Sequence, residues 1–379
     1  MKATVFFSST VAVLSLSVLF LAGCAGVTNV SPAPGGASSA PPGGSSAHAT
    51  FVYVLNASGS GPSISGFRMN PDGTLIALQD SPFSISGNFP GKLAVLRNFL
   101  LVPDQENVTS YRIDPSTGSL TRAQTAAAPT GSEVVAEAIA ADSKNVYVGG
   151  LASGTSVIYA FSIDANGSFT AISRSPFVFS DCVCSPPRSI AVQNSMLFAS
   201  STGFPATSSG PLAVYSIQDG ALTLKQTLGT DGLWDLAVPP NGHVVYALSS
   251  PFGIEGFIFG PDGVLSQSSA ITRFLGGSAM TMDPTGKFLA TISAGKSDSL
   301  IPVYSIDPVT SSLTQFGAPV LTGGPEGDSI AFDPSGRFVV GGAGDGVTVF
   351  SFNPASGTMT KIQSAPTSGL PVSIVIAAL

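Results

Sequence analysis

Two stretches decide how this chain folds: Met282-Asp283-Pro284-Thr285-Gly286-Lys287-Phe288 and Phe332-Asp333-Pro334-Ser335-Gly336-Arg337-Phe338. Both read apolar, Asp-Pro, small, Gly, basic, Phe. Asp accepts local backbone hydrogen bonds, Pro presets φ for the next turn position, and Gly closes the turn, where positive φ is common. A weaker copy runs Val238-Pro239-Pro240-Asn241-Gly242-His243-Val244. A second motif alternates with the first. It reads Tyr111-Arg112-Ile113-Asp114-Pro115 through Thr121, and again Tyr304-Ser305-Ile306-Asp307-Pro308 through Thr314. Flanking runs such as Phe51-Val52-Tyr53-Val54 and Val347-Thr348-Val349-Phe350 are β-branched and aromatic, so each motif predicts a strand–turn–strand hairpin.

Counting the aromatic of the second motif gives markers at Phe67, Tyr111, Phe161, Tyr215, Phe257, Tyr304 and Phe350, spaced 44, 50, 54, 42, 47 and 46 residues apart. Seven units of that size match propeller blades. The expected fold is all-β: a seven-bladed β-propeller of four-stranded antiparallel blades over residues 50–379. Residues 371–376 (Pro-Val-Ser-Ile-Val-Ile) supply the innermost strand that the first blade lacks, so the C-terminal strand should close the ring.

Composition agrees and excludes alternatives. Of 379 residues, only 10% are charged and 44% are hydrophobic, with 43 Gly and 29 Pro. Breakers at this density argue against a helical bundle. The 15 Lys+Arg against 22 Asp+Glu leave no basic face for nucleic acid.

Residues 1–23 read as a secretory signal peptide: Lys2, an apolar Val5–Leu21, then Leu21-Ala22-Gly23-Cys24. The last four residues resemble a bacterial lipobox. That resemblance implies cleavage before Cys24, lipidation of its thiol and anchoring of an exported chain to the cell envelope, at the outer membrane or periplasmic face. Residues 24–49 are almost wholly Ala, Ser, Pro and Gly after the cysteine and read as a flexible tether.

The two Asp-Pro turns of each blade belong on one rim, so the opposite rim collects the variable loops that surround the channel mouth. Its polar residues form the candidate site: Lys92, Glu133, Arg188, Asp231, Trp234, Asp235, Glu326 and Asp328. Loops between second and third strands add Asp104, Glu106, Lys296, Asp298 and Asp345. The repeated Asp114, Asp283, Asp307 and Asp333 are read as turn caps. Cys182 and Cys184 are open to a local disulfide, to free thiols or to a metal role. No residue set for a metal or cofactor emerges. His48 falls in the tether and His243 in a turn, which disfavours a Ser-His-Asp triad.

The Asp-Pro-x-Gly-Lys/Arg-Phe and Ile-Asp-Pro-x-x-Gly-x-Leu hairpins resemble the seven-bladed lactonase family, best known for 6-phosphogluconolactone hydrolysis, across residues 50–379. The resemblance implies a Gly-Pro-Arg-His sequence leading into an inner strand and an Asn-Glu pair after a second strand. Here Pro186-Pro187-Arg188-Ser189 keeps the arginine and replaces the histidine, and no Asn-Glu pair follows a second strand. The first expectation is therefore a monomeric, non-catalytic module binding a small molecule, glycan or protein at the mouth. The alternative is a divergent lactonase, with Arg188 as anion anchor and Glu133 or Glu326 as base.

Overall fold

The computed structural model describes residues 49–379 except 58–60, 86–90, 105, 128–138, 181–185, 194, 203–209, 231, 241, 250–252 and 268–276. Seven antiparallel blades form, each built on a plan of four strands, and no helix occurs among the described residues. Blade 6 shows the plan: Ala279–Met282 innermost, then Phe288–Ile292, Val303–Ile306 and Leu313–Gln315. The inner strands of blades 2 to 7 are Ala94–Leu96, Ile139–Ala141, Ser189–Gln193, Leu233–Ala237, Ala279–Met282 and Ser329–Phe332. Each touches the next in order, and Leu370–Ala378 completes the circle between blades 7 and 2. The fold is the expected seven-bladed propeller.

Closure takes the expected form. Leu370–Ala378 pairs antiparallel with Thr50–Ala57, from Thr50 opposite Ala378 to Ala57 opposite Leu370, with a register shift between Leu55 and Asn56. Blade 1 is thus assembled from strands more than 300 residues apart in sequence.

The hydrophobic core is a ring of seven clusters, one in each seam between neighbouring blades. The strand Thr50–Ala57 shows why the sequence is apolar without a helical period. Val52 and Val54 pack toward blade 7, while Phe51, Tyr53 and Leu55 pack toward blade 2. A strand buried on both faces cannot alternate apolar with polar.

The turns behave as their chemistry requires. Asp283 Oδ1 accepts the N–H of Lys287 and Phe288, both at 2.7 Å, and Oδ2 accepts Thr285 N–H at 3.0 Å. Asp333 repeats this with Arg337, Phe338 and Ser335 at 2.8, 2.7 and 2.9 Å. Gly286 and Gly336 both sit at φ +69°, a left-handed conformation that disfavours side chains. Asp114 and Asp307 cap their turns similarly, through Ser116 and Thr117 and through Val309 and Thr310.

Three blades depart from the simple repeat; in blade 6 a separate ladder, Leu300–Ile301 with Val320–Leu321, continues the outer pair beyond Pro302. In blades 1 and 3 the fourth strand is split, at Leu75–Ala77 and Phe83–Ser84, and at Phe169–Ala171 and Phe177–Ser180. A Ser-Pro-Phe sequence occupies each break, with cis Ser81-Pro82 and Ser175-Pro176 bonds. The serine hydroxyls accept the stranded N–H groups of Gly66 at 3.0 Å and Ala160 at 2.9 Å.

Candidate functional site

All seven inner strands run in the same direction, so their first residues gather at one mouth of the channel. Asp235 lies there in Leu233-Trp234-Asp235-Leu236-Ala237, the inner strand of blade 5. The ladder to Val244–Ser249 slips between Leu233 and Asp235, which leaves Trp234 without a partner as a β-bulge. Trp234 is half-buried, and the Arg188 guanidinium carbon sits 4.1 Å from the centre of its ring. This is cation–π geometry, with a residue from the start of blade 4 covering a residue of blade 5.

Asp235 itself is 5% exposed. A buried carboxylate needs partners, and this one draws them from four blades. Oδ1 accepts the Ser189 hydroxyl of blade 4 at 2.8 Å and the Leu236 N–H of its own blade at 3.0 Å. Oδ2 accepts the Met280 N–H of blade 6 at 3.0 Å. The fourth partner is the Lys92 ammonium of blade 2, in a close ion pair with Oδ1. Blades 2 and 5 stand three places apart in the ring, the greatest separation that seven blades allow. The pair therefore crosses the channel.

Of the sequence candidates, Lys92, Arg188, Trp234 and Asp235 come together. With four donors on its carboxylate, Asp235 serves as an anchor, since little acceptor capacity remains for a water proton. Glu326 is exposed, with φ +53°, and its N–H donates to Gly295 O of blade 6 at 2.9 Å, so it stands at the seam of blades 6 and 7. Asp328 is exposed beside the same seam. Cys24, Glu133, Cys182, Cys184 and Asp231 lie outside the described residues. Asp104 accepts the N–H groups of Glu106 and Asn107 within its own turn, while Asp298 accepts those of Ser299 and, across to the next connection, Gly323. Among the described residues, no three His, Cys, Asp or Glu side chains converge as metal ligands.

Ser189 is the residue that sequence reasoning passed over. The motif presents it only as a replacement for histidine, yet its hydroxyl both donates to Asp235 and accepts Leu236 N–H at 3.1 Å. A charged residue embedded in an otherwise apolar inner strand was the signal that such partners had to exist.

Residues 264–376 match the family model described as Lactonase, 7-bladed beta-propeller. The chain resembles the lactonase propellers. That matched segment covers blades 6 and 7 and most of the closing strand, including both full Asp-Pro-x-Gly turns. A candidate 6-phosphogluconolactonase from Bacteroides uniformis is similar in structure, with TM-score 0.72, 18% identity, and coverage of 87% of this chain and all of that one. A candidate 6-phosphogluconolactonase from Bacteroides fragilis gives TM-score 0.71 at 18% identity, over 89% of this chain and all of that one. A Lactobacillus plantarum protein gives 0.69 at 17% identity, over 87% and 99%. At these identities the structural likeness concerns the fold. No curated protein matches the chain by sequence.

Proposed function

We propose that this propeller is a lactone hydrolase whose site is the channel mouth at the start of the inner strands. One observation carries the reading. Two cations from different sides of the ring, Lys92 and Arg188, converge on the adjacent residues Asp235 and Trp234. Lactone opening places negative charge on the former carbonyl oxygen, and a fixed ammonium such as Lys92 stabilises that oxyanion. Arg188 anchors an anionic or hydroxyl-rich substituent, and Trp234 offers an apolar edge to the ring. The base that takes a proton from water is Glu326 or Glu133. The family match over residues 264–376 supports this chemistry. A binding module without catalysis is the second reading, favoured by the saturation of Asp235 with donors.

The test is hydrolysis by the full chain of a panel of sugar lactones, phosphorylated sugar lactones and acyl-homoserine lactones, followed by pH-stat. The expected result is turnover above the buffer rate, falling about 100-fold in Lys92→Met and Arg188→Ala. Buffer-rate hydrolysis across the panel overturns the enzyme reading in favour of the binding module.

We also propose that the chain is exported and lipidated at Cys24, with the tether ending before Ala49, whose backbone pairs with Leu379. The Leu21-Ala22-Gly23-Cys24 sequence supports this. Metabolic labelling with a fatty-acid analogue in a bacterial host should mark the wild type and leave Cys24→Ser unlabelled; equal labelling of both overturns it.

A further inference from the structure

We infer that Asp235 is a positioning residue: it holds the Lys92 ammonium in place across the channel mouth, with Ser189 setting the orientation of the carboxylate. The clasp itself stands on geometry alone; what Lys92 then meets rests on the lactone-hydrolase reading.

A lysine carries its charge on a flexible four-carbon stem with three donors, and left alone it samples many positions. Here both ends of that stem are fixed. At its base, Gly91 N–H donates to Pro103 O at 3.2 Å and Leu93 N–H donates to the Ser373 hydroxyl at 2.8 Å, which binds the backbone to blades 2 and 1. At its tip, the ammonium meets Asp235 of blade 5. The carboxylate cannot swing to follow a moving lysine, because neutral donors from three blades already fix it: Ser189, Leu236 and Met280. Asp235 is thus set before Lys92 arrives, and the lysine takes the position that Asp235 dictates.

A brace serving stability alone would bury both partners. The Lys92 side chain is instead 36% exposed against 7% for Asp235. The carboxylate is interior while the lysine side chain keeps part of its surface open, so the pair is not sealed off as a whole. Arg188, one residue before Ser189, covers Trp234, one residue before Asp235. Two neighbouring residue pairs on two strands therefore set both cations of the mouth.

Competitive reductive methylation with isotope-labelled formaldehyde, read by mass spectrometry at each lysine of the full chain, tests the clasp without any substrate. Exposed Lys144 and Lys225 act as internal standards. In the wild type, Lys92 should label about tenfold more slowly than either, as expected for an amine committed to a charged acceptor. In Asp235→Asn its rate should rise to that of the standards, while Lys144 and Lys225 keep theirs. Ser189→Ala, which leaves every charge in place, should give an intermediate rate, and it decides the question if Asp235→Asn fails to fold. Labelling of Lys92 at the standard rate in the wild type overturns the inference, as does slow labelling unchanged in both variants. Failure of the lactone panel with the clasp intact removes the hydrolase reading and leaves this one standing.

Discussion

Tyr53 and Gly118 lie 65 residues apart, and the tyrosine hydroxyl donates to the glycine carbonyl at 2.7 Å. Tyr246 does the same to Ser311, again at 2.7 Å and again 65 residues on. In each case a tyrosine on the second strand of one blade reaches the outer turn of the next. The fold thus repeats a polar rivet inside an apolar seam. Replacing Tyr53 or Tyr246 by Phe should lower stability by about 1 kcal/mol each, because a buried carbonyl loses its donor. Equilibrium unfolding in urea measures this, and an unchanged midpoint for both variants would show the rivets to be inert.

The same tyrosines predict an alkaline limit. Burial raises the ionisation of Tyr53, Tyr147, Tyr215 and Tyr246 above the ordinary range, and pushes Tyr304 up to about 12. A folded value above the unfolded one, about 10, contributes stability that is complete below that pH and lost as pH rises through the folded values. These phenols should ionise together with unfolding, so ultraviolet absorbance and circular dichroism should change in one step above pH about 10. Ionisation of all of them near pH 10 with the fold intact would contradict the burial.

Acid acts on the turns. Asp114 is lowered to about 2, chiefly by the hydrogen bond from the Ser116 hydroxyl, and Asp307 is lowered chiefly by the Thr310 N–H. Depressed carboxylates stabilise the fold above their unfolded value of about 3.9, and that contribution disappears as pH falls through the folded values. Thermal melting should therefore drop between pH about 4 and 2. Asp114→Asn should flatten part of that drop; an identical profile for wild type and variant would remove Asp114 from the account.

Trp234 is the sole tryptophan of the chain, which makes the mouth optically addressable. Arg188→Ala should expose its ring, shift emission to longer wavelength and raise quenching by acrylamide. The lost cation–π contact is worth about 0.5–1 kcal/mol, so the fold should survive. Unaltered emission would mean that Arg188 does not cover the indole in solution.

These expectations also mark what could be read from residues alone. Seven blades, their hairpins and the closing strand followed from local chemistry repeated at a near-fixed interval, and Asp283 or Asp333 needs no distant partner to cap its turn. The Ser-Pro-Phe breaks at Ser81 and Ser175 are equally local in their chemistry, yet the repeat pattern did not anticipate them. The Lys92–Asp235 pair is of another kind. Its partners are 143 residues apart, and they meet because a closed ring of seven brings opposite inner strands within reach of one lysine side chain. No spacing rule encodes that contact. Nor did the sequence tell a base from an anchor: Asp235 and Glu326 are both rim carboxylates on paper, and only burial and donor count separate them.

The seam between Thr50–Ala57 and Leu370–Ala378 sets an order of events during synthesis. Thr50–Ala57 leaves the ribosome early and waits with one edge open until Leu370–Ala378 is synthesised. Throughout that interval the growing chain carries an unpaired strand margin, and any truncation before Leu370 would leave it so permanently. The integrity of the ring therefore hinges on the arrival of Leu370–Ala378, however well the other six blades have assembled.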